Sequence, residues 1–153
     1  MQKLKNIIIL FFFTTITSCG YTPLLNSEKL NFYISDLILE GDRKINSYIS
    51  EDLKKYQNNS DATKNYSIKI SSFYKKSVIN KDKKGNPKNY NIEIETIIRI
   101  TEDGKDEIEK TFTRNISLSA QSKKIKEREL EKNYKRNLAN LIGQDIIFFL
   151  MNQ

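Results

Sequence analysis

The chemistry open to this chain is limited by its reactive side chains: one cysteine, Cys19, no histidine, and 26 lysines and arginines against 19 carboxylates. Nucleophile–histidine catalysis lacks its base. Glu93 and Glu95 stand two residues apart, about 7 Å along a strand, a spacing compatible with acid–base work. Their alternation with apolar neighbours fits a solvated strand face better. Asn80-x-Asp82-x-Lys84-Gly85 begins like a calcium loop, but Lys84 takes a ligand position and Asn91 stands where a bidentate glutamate is required. No glycine-rich phosphate loop is present. What remains is basic: Lys75-Lys76, the loop lysines Lys81, Lys83, Lys84 and Lys88, then Arg99, Arg114 and the stretch from Lys123 to Arg136. Such groups suit lipid phosphates or an acidic partner. They equally suit solvated loop tips that deter edge-to-edge aggregation.

The elements that must position these groups follow from periodicity. Leu30 to Leu39 is a β-rich run bounded by Glu40-Gly41-Asp42. Asp42 is a plausible N-cap for a helix whose stripe is Ile45, Tyr48, Ile49, Leu53 and Tyr56. A second strand starts near Asn65, with Tyr66, Ile68, Ile70 and Tyr74 on one face. Its pattern blurs at Phe73 and is expected to continue to Ile79 after a bulge. A basic turn, residues 80–89, leads to the cleanest strand, in which Tyr90, Ile92, Ile94, Thr96, Ile98 and Ile100 share a face. Asp103-Gly104 signals a hairpin, and a fourth strand runs from about Glu107 to Ser119. The spacing predicts a proline-free helix over 123–151 with the stripe Leu130, Tyr134, Leu138, Leu141, Ile142, Ile146 and Phe149. The order β-α-β-β-β-α, with one apolar face per element, predicts an α+β two-layer sandwich: two helices on one face of a four-stranded, mostly antiparallel sheet.

The first eighteen residues read differently. Lys3 and Lys5 precede the apolar run Ile7 to Phe13, which is too short to span a bilayer and has the marks of an export signal. The chain divides into a signal (1–18), a short tether (19–29) and one domain (30–153). That tether reaches about 35 Å at most, so the domain is expected to work close to whatever holds residue 19. The formal charge is +7, with Lys3 and Lys5 inside the signal.

Ile16-Thr17-Ser18-Cys19 resembles the lipobox of bacterial lipoproteins, an aliphatic residue and two small ones before cysteine. The resemblance implies cleavage before Cys19 and acylation of its thiol, a covalent lipid anchor and no other cofactor. Gly20, where inner-membrane lipoproteins tend to have aspartate, implies an outer-membrane, lipid-anchored protein on the periplasmic side. That location argues against nucleic acid as a partner. Cys19-Gly20-Tyr21-Thr22-Pro23-Leu24-Leu25 further resembles the mature start of the lipopolysaccharide-assembly lipoproteins of the LptE type, and the element order follows the same plan. Leu25, where an aromatic is common, and the high lysine and asparagine content depart from that pattern. The family implies a non-enzymatic subunit of the lipopolysaccharide translocon. It would plug and help assemble a large outer-membrane β-barrel of the LptD type and aid insertion of lipopolysaccharide into the outer leaflet. From charge alone, Lys81, Lys83, Lys84 and Lys88 are the candidates for lipopolysaccharide phosphate contacts. The alternative is a free-standing lipoprotein adaptor for a soluble periplasmic or cell-wall partner.

Overall fold

The computed structural model describes residues 32–57, 62–102 and 105–153. The signal, Cys19 with its heptad, the tether and the Asp103-Gly104 turn lie outside the described residues. Strand β1 spans Phe32–Gly41, helix α1 Arg43–Leu53, β2 Lys64–Lys81, β3 Pro87–Glu102, β4 Ile108–Ser119 and helix α2 Lys124–Met151. The sheet order is β1-β2-β3-β4. β1 runs parallel to β2, while β2–β3 and β3–β4 are antiparallel. The parallel pair needs a crossover, and α1 supplies it. The predicted α+β sandwich is the observed one.

One sheet face carries the core. Ile68 and Ile70 of β2, Ile92, Ile94, Ile98 and Ile100 of β3 and Leu118 of β4 are buried beneath Ile45, Ile49 and Leu53 of α1 and Leu138, Ile142 and Ile146 of α2. Each such side chain contributes about 1.5–3 kcal/mol on burial. At the middle of this apolar face, the Ser72 hydroxyl meets that of Thr96 at 3.1 Å, so the buried polar pair satisfies itself. Asp42 does cap α1: its Oδ1 accepts from the Lys44 and Ile45 amides at 2.9 and 3.1 Å. The link between β1 and α1 is tied down as well, since the Asp42 amide donates to the Ser72 carbonyl at 2.8 Å.

Three expectations need correction. β1 continues through Glu40 and Gly41, which pair with Ser71 and Ser72; only the positive φ of Gly41 (85°) turns the chain out of the strand. β2 has no bulge at Phe73. It stays in register with β3 from Tyr66 to Val78, and the irregularities fall between Val78 and Lys81. The pattern blurs there because Phe73 points to the outer face, 52% exposed, opposite Glu95. Leu141 does not belong to the α2 stripe: it is 45% exposed, whereas Ala139, Gly143, Ile147 and Leu150 are buried. The small residues Ala139 and Gly143 let α1 approach closely, with Gly143 lying against the Ile49 carbonyl.

The domain has two distinct ends. Phe32, the first described residue of β1, pairs with Lys64 at the start of β2, and its ring packs on Tyr56, just past α1. The opposite end holds the β2–β3 hairpin tip, the end of β4 and the start of α2. Among the described residues no helix is long and apolar enough to cross a membrane.

Candidate functional site

The candidate residues Lys81, Lys83, Lys84 and Lys88 all lie exposed at the β2–β3 hairpin tip. Asp82 builds that tip. Its Oδ1 accepts from the Lys84 and Asn86 amides at 2.8 and 2.9 Å, and its Oδ2 from the Asn86 side chain at 3.1 Å. These hydrogen bonds hold the Asp82 carboxyl below the usual aspartate range. Gly85 closes the turn at φ 84°. An Asx-type turn with three lysines around it presents cations on a fixed scaffold.

The fold brings the second basic stretch to the same place. The Ala120 amide donates to the Lys88 carbonyl at 2.8 Å, seating the 120–127 segment beside the hairpin base. Lys123, Lys124 and Lys126 are exposed there, and Ile125 among them is 82% exposed. Val78 and Ile79 on the hairpin are 42% and 54% exposed. Lysines flanking protruding aliphatic side chains are the composition of an interfacial surface.

Other candidates separate from this end. Arg99 is paired with Glu109 at 2.8 Å, and Arg114 holds Asp145 through two hydrogen bonds at 2.7 and 2.8 Å. Glu93 and Glu95 share the outer face of β3, opposite Lys75 and Phe73 respectively. Lys75 and Lys76 diverge, as neighbours in a strand must. Lys75 faces out, while Lys76 turns under α2.

Lys76 is the centre of a network that the sequence reading missed. Its ammonium lies 3.2 Å from Glu127 and 2.9 Å from Glu131, and 4.2 Å from the centroid of the Tyr90 ring. Tyr74 donates to Glu131 at 2.7 Å, Lys135 sits 3.4 Å over the Tyr74 ring, and the Gln121 amide donates to Glu127 at 3.2 Å. Burial pushes both carboxyls up, but hydrogen bonds outweigh it: Gln121 and Lys76 for Glu127, Lys76 and Tyr74 for Glu131. Both therefore sit below the usual glutamate range. Burial also pulls Lys76 down, and the two carboxylates more than reverse it. Tyr74 is pushed up, first by burial and then by Glu131. The signal was available: Lys76 falls on the inward register of β2, where a cation needs a partner, and Glu127 and Glu131 share a helix face at i, i+4.

No protein-family model and no curated protein matches this chain. Solved structures do. Rare lipoprotein B from Shewanella oneidensis matches at a TM-score of 0.54 and 18% identity, over 76% of this chain and 97% of the other. A minor lipoprotein from Acinetobacter baumannii matches at 0.57 and 14% identity, over 80% and 92%. Lipoprotein B from Nitrosomonas europaea matches at 0.53 and 13% identity, over 83% and 87%. This chain is thus similar in fold, over nearly the full length of each, to lipoproteins from three bacteria.

Proposed function

We infer that this protein is a non-enzymatic outer-membrane lipoprotein of the lipopolysaccharide translocon, anchored through Cys19 and seated inside a large β-barrel partner. The observation that carries this reading is a pairing. A lipobox-like Ile16-Thr17-Ser18-Cys19 precedes a β-α-β-β-β-α domain whose fold is similar to rare lipoprotein B from end to end.

The dimensions support it. β2 has eighteen residues, so the hairpin tip stands about 55–60 Å from the end of the sheet where the tether joins. A hydrocarbon core is about 30 Å thick. With Cys19 in the inner leaflet and a body of that length inside a barrel, the basic tip reaches well into the lumen or past it. The outer sheet face is rich in polar side chains such as Ser67, Lys69, Ser71, Thr111, Thr113 and Ser117, suited to a polar lumen. Lys81, Lys83, Lys84 and Lys88 then meet lipopolysaccharide phosphates at the far end.

A tagged pull-down from detergent-solubilised outer membrane tests this reading. A roughly one-to-one complex with a large β-barrel is expected. Recovery of the protein alone, or with soluble periplasmic partners, favours the adaptor and overturns the plug. Neutralising the four hairpin lysines together is expected to weaken lipopolysaccharide binding in vitro; unchanged binding removes those residues while leaving the barrel partnership standing.

A further inference from the structure

The two helices run side by side in the same direction. Gly143 of α2 lies against Ile49 of α1, and further back Lys44 and Tyr48 of α1 face the α2 turns that carry Arg128, Glu131, Lys132 and Lys135. Between these six residues is a groove of about 270 Å³. Two of its residues, Glu131 and Lys135, also touch Tyr74 of β2, and no residue of the hairpin tip lines it.

The charge in this groove is unbalanced. Glu131 is its only carboxylate, and both oxygens are engaged, Oε1 by Tyr74 and Lys135 and Oε2 by Lys76. Lys44, Arg128 and Lys132 make no ion pair among the described residues. The Tyr48 hydroxyl has no hydrogen-bond partner among them either. Arg128, Lys132 and Lys135 share one helix face at i, i+4 and i+7, a like-charge spacing that weakens a helix by about 0.2–0.5 kcal/mol per pair. The carboxylate nearest Lys44 in sequence, the Asp42 cap, is turned to the Lys44 and Ile45 amides and makes no ion pair with the Lys44 ammonium. A dianion would relieve each of these at once.

We propose that the groove between α1 and α2 is a binding site for a phosphoryl group, with Arg128, Lys132 and Lys44 as its cations and the Tyr48 hydroxyl as a neutral donor. The guanidinium of Arg128 provides the planar fork that matches phosphate, and the two ammonium groups act as point charges on its remaining oxygens. Lys135, held over the Tyr74 ring, contributes charge at the wall. The lining contains no aliphatic residue, and the volume is at the small end for a ligand site. It suits a phosphate or pyrophosphate on a headgroup-sized molecule. The phosphate can belong to a lipid headgroup or to a free phosphate compound. The site rests on the groove alone and stands or falls separately from the barrel partnership.

The test is calorimetric titration of the full chain in a neutral detergent at about 0.15 M salt. Inorganic pyrophosphate is the free-phosphate probe and dihexanoyl phosphatidic acid the lipid probe. Saturable one-to-one binding of at least one probe is expected, and which one binds identifies the source. The paired substitution R128Q with K132Q is expected to weaken binding at least about tenfold, Y48F to weaken it with no change of charge, and K54Q with K75Q, two exposed lysines outside the groove, to leave it within about twofold. Both α2 changes are at exposed positions and replace one good helix former by another, so circular dichroism should be unchanged. No binding of either probe, or equal loss in K54Q with K75Q, overturns the proposal.

Discussion

At the scale of single residues, the ionised cluster beneath α2 has the largest predictable consequences. Glu127 is almost fully buried beside Lys76, and removing one partner of a buried pair costs about 3–5 kcal/mol. Lys76 keeps about a quarter of its exposure, so Lys76→Met is expected to lower stability by less, about 2 kcal/mol at neutral pH, measured by urea unfolding. The pH dependence has a definite sign. Both carboxyls are depressed in the folded state, so their contribution is present above the ordinary glutamate value of about 4.3 and is lost as pH falls through the folded-state values. The gap between the parent and Lys76→Met should therefore narrow on acidification to about pH 3. A gap that stays constant would show that Lys76 acts through packing rather than charge. Asp42→Ala, which removes the cap of α1, should cost about 1 kcal/mol in the same assay.

At the scale of elements, two glycines with almost the same φ should respond differently. A Cβ at Gly41 would stand 2.2 Å from the Ser72 carbonyl oxygen in the adjacent strand, whereas at Gly85 nothing lies within 4 Å. Gly85→Ala is expected to cost only the left-handed backbone strain, about 1–2 kcal/mol. Gly41→Ala adds a collision between main chains and should cost at least about 4 kcal/mol or prevent folding, as read by denaturant midpoint and soluble yield. Similar losses at both positions would mean that the β1–β2 contact gives way easily. This contrast also marks what the sequence could reveal. Alternation in Ile92-x-Ile94-x-Thr96-x-Ile98-x-Ile100 and the capped stripe of α1 specified strand and helix directly, because one face of each is buried. Phe73 and Leu141 misled because an exposed apolar side chain reads the same as a buried one until the neighbouring elements are placed. The hairpin lysines were legible as charge. Their proximity to Lys123–Lys126 and the meeting of Lys44 with Arg128 were not, because both depend on how α2 lies across the sheet.

For the whole molecule, stability should grade along the long axis. Core side chains concentrate between Ile68 and Ile70 on β2 and between Ile92 and Ile100 on β3, while residues 79–86 at the tip are exposed. Amide hydrogen exchange is expected to be slowest near Ile70 and Ile94 and fastest from Ile79 to Asn86; uniform protection along β2 would contradict this gradient. The parallel pairing of β1 with β2 has a mechanical consequence. Nine register pairs join these strands, from Phe32–Lys64 to Gly41–Ser72. If the chain is pulled by its tether while the hairpin tip is held, β1 and β2 are dragged past one another along their length. The load then falls on the whole ladder in shear, rather than on one bond after another as in peeling. The domain is thus built to resist tension between its Phe32 end and its basic tip, the direction in which a protein anchored at the one and gripped at the other would be stressed.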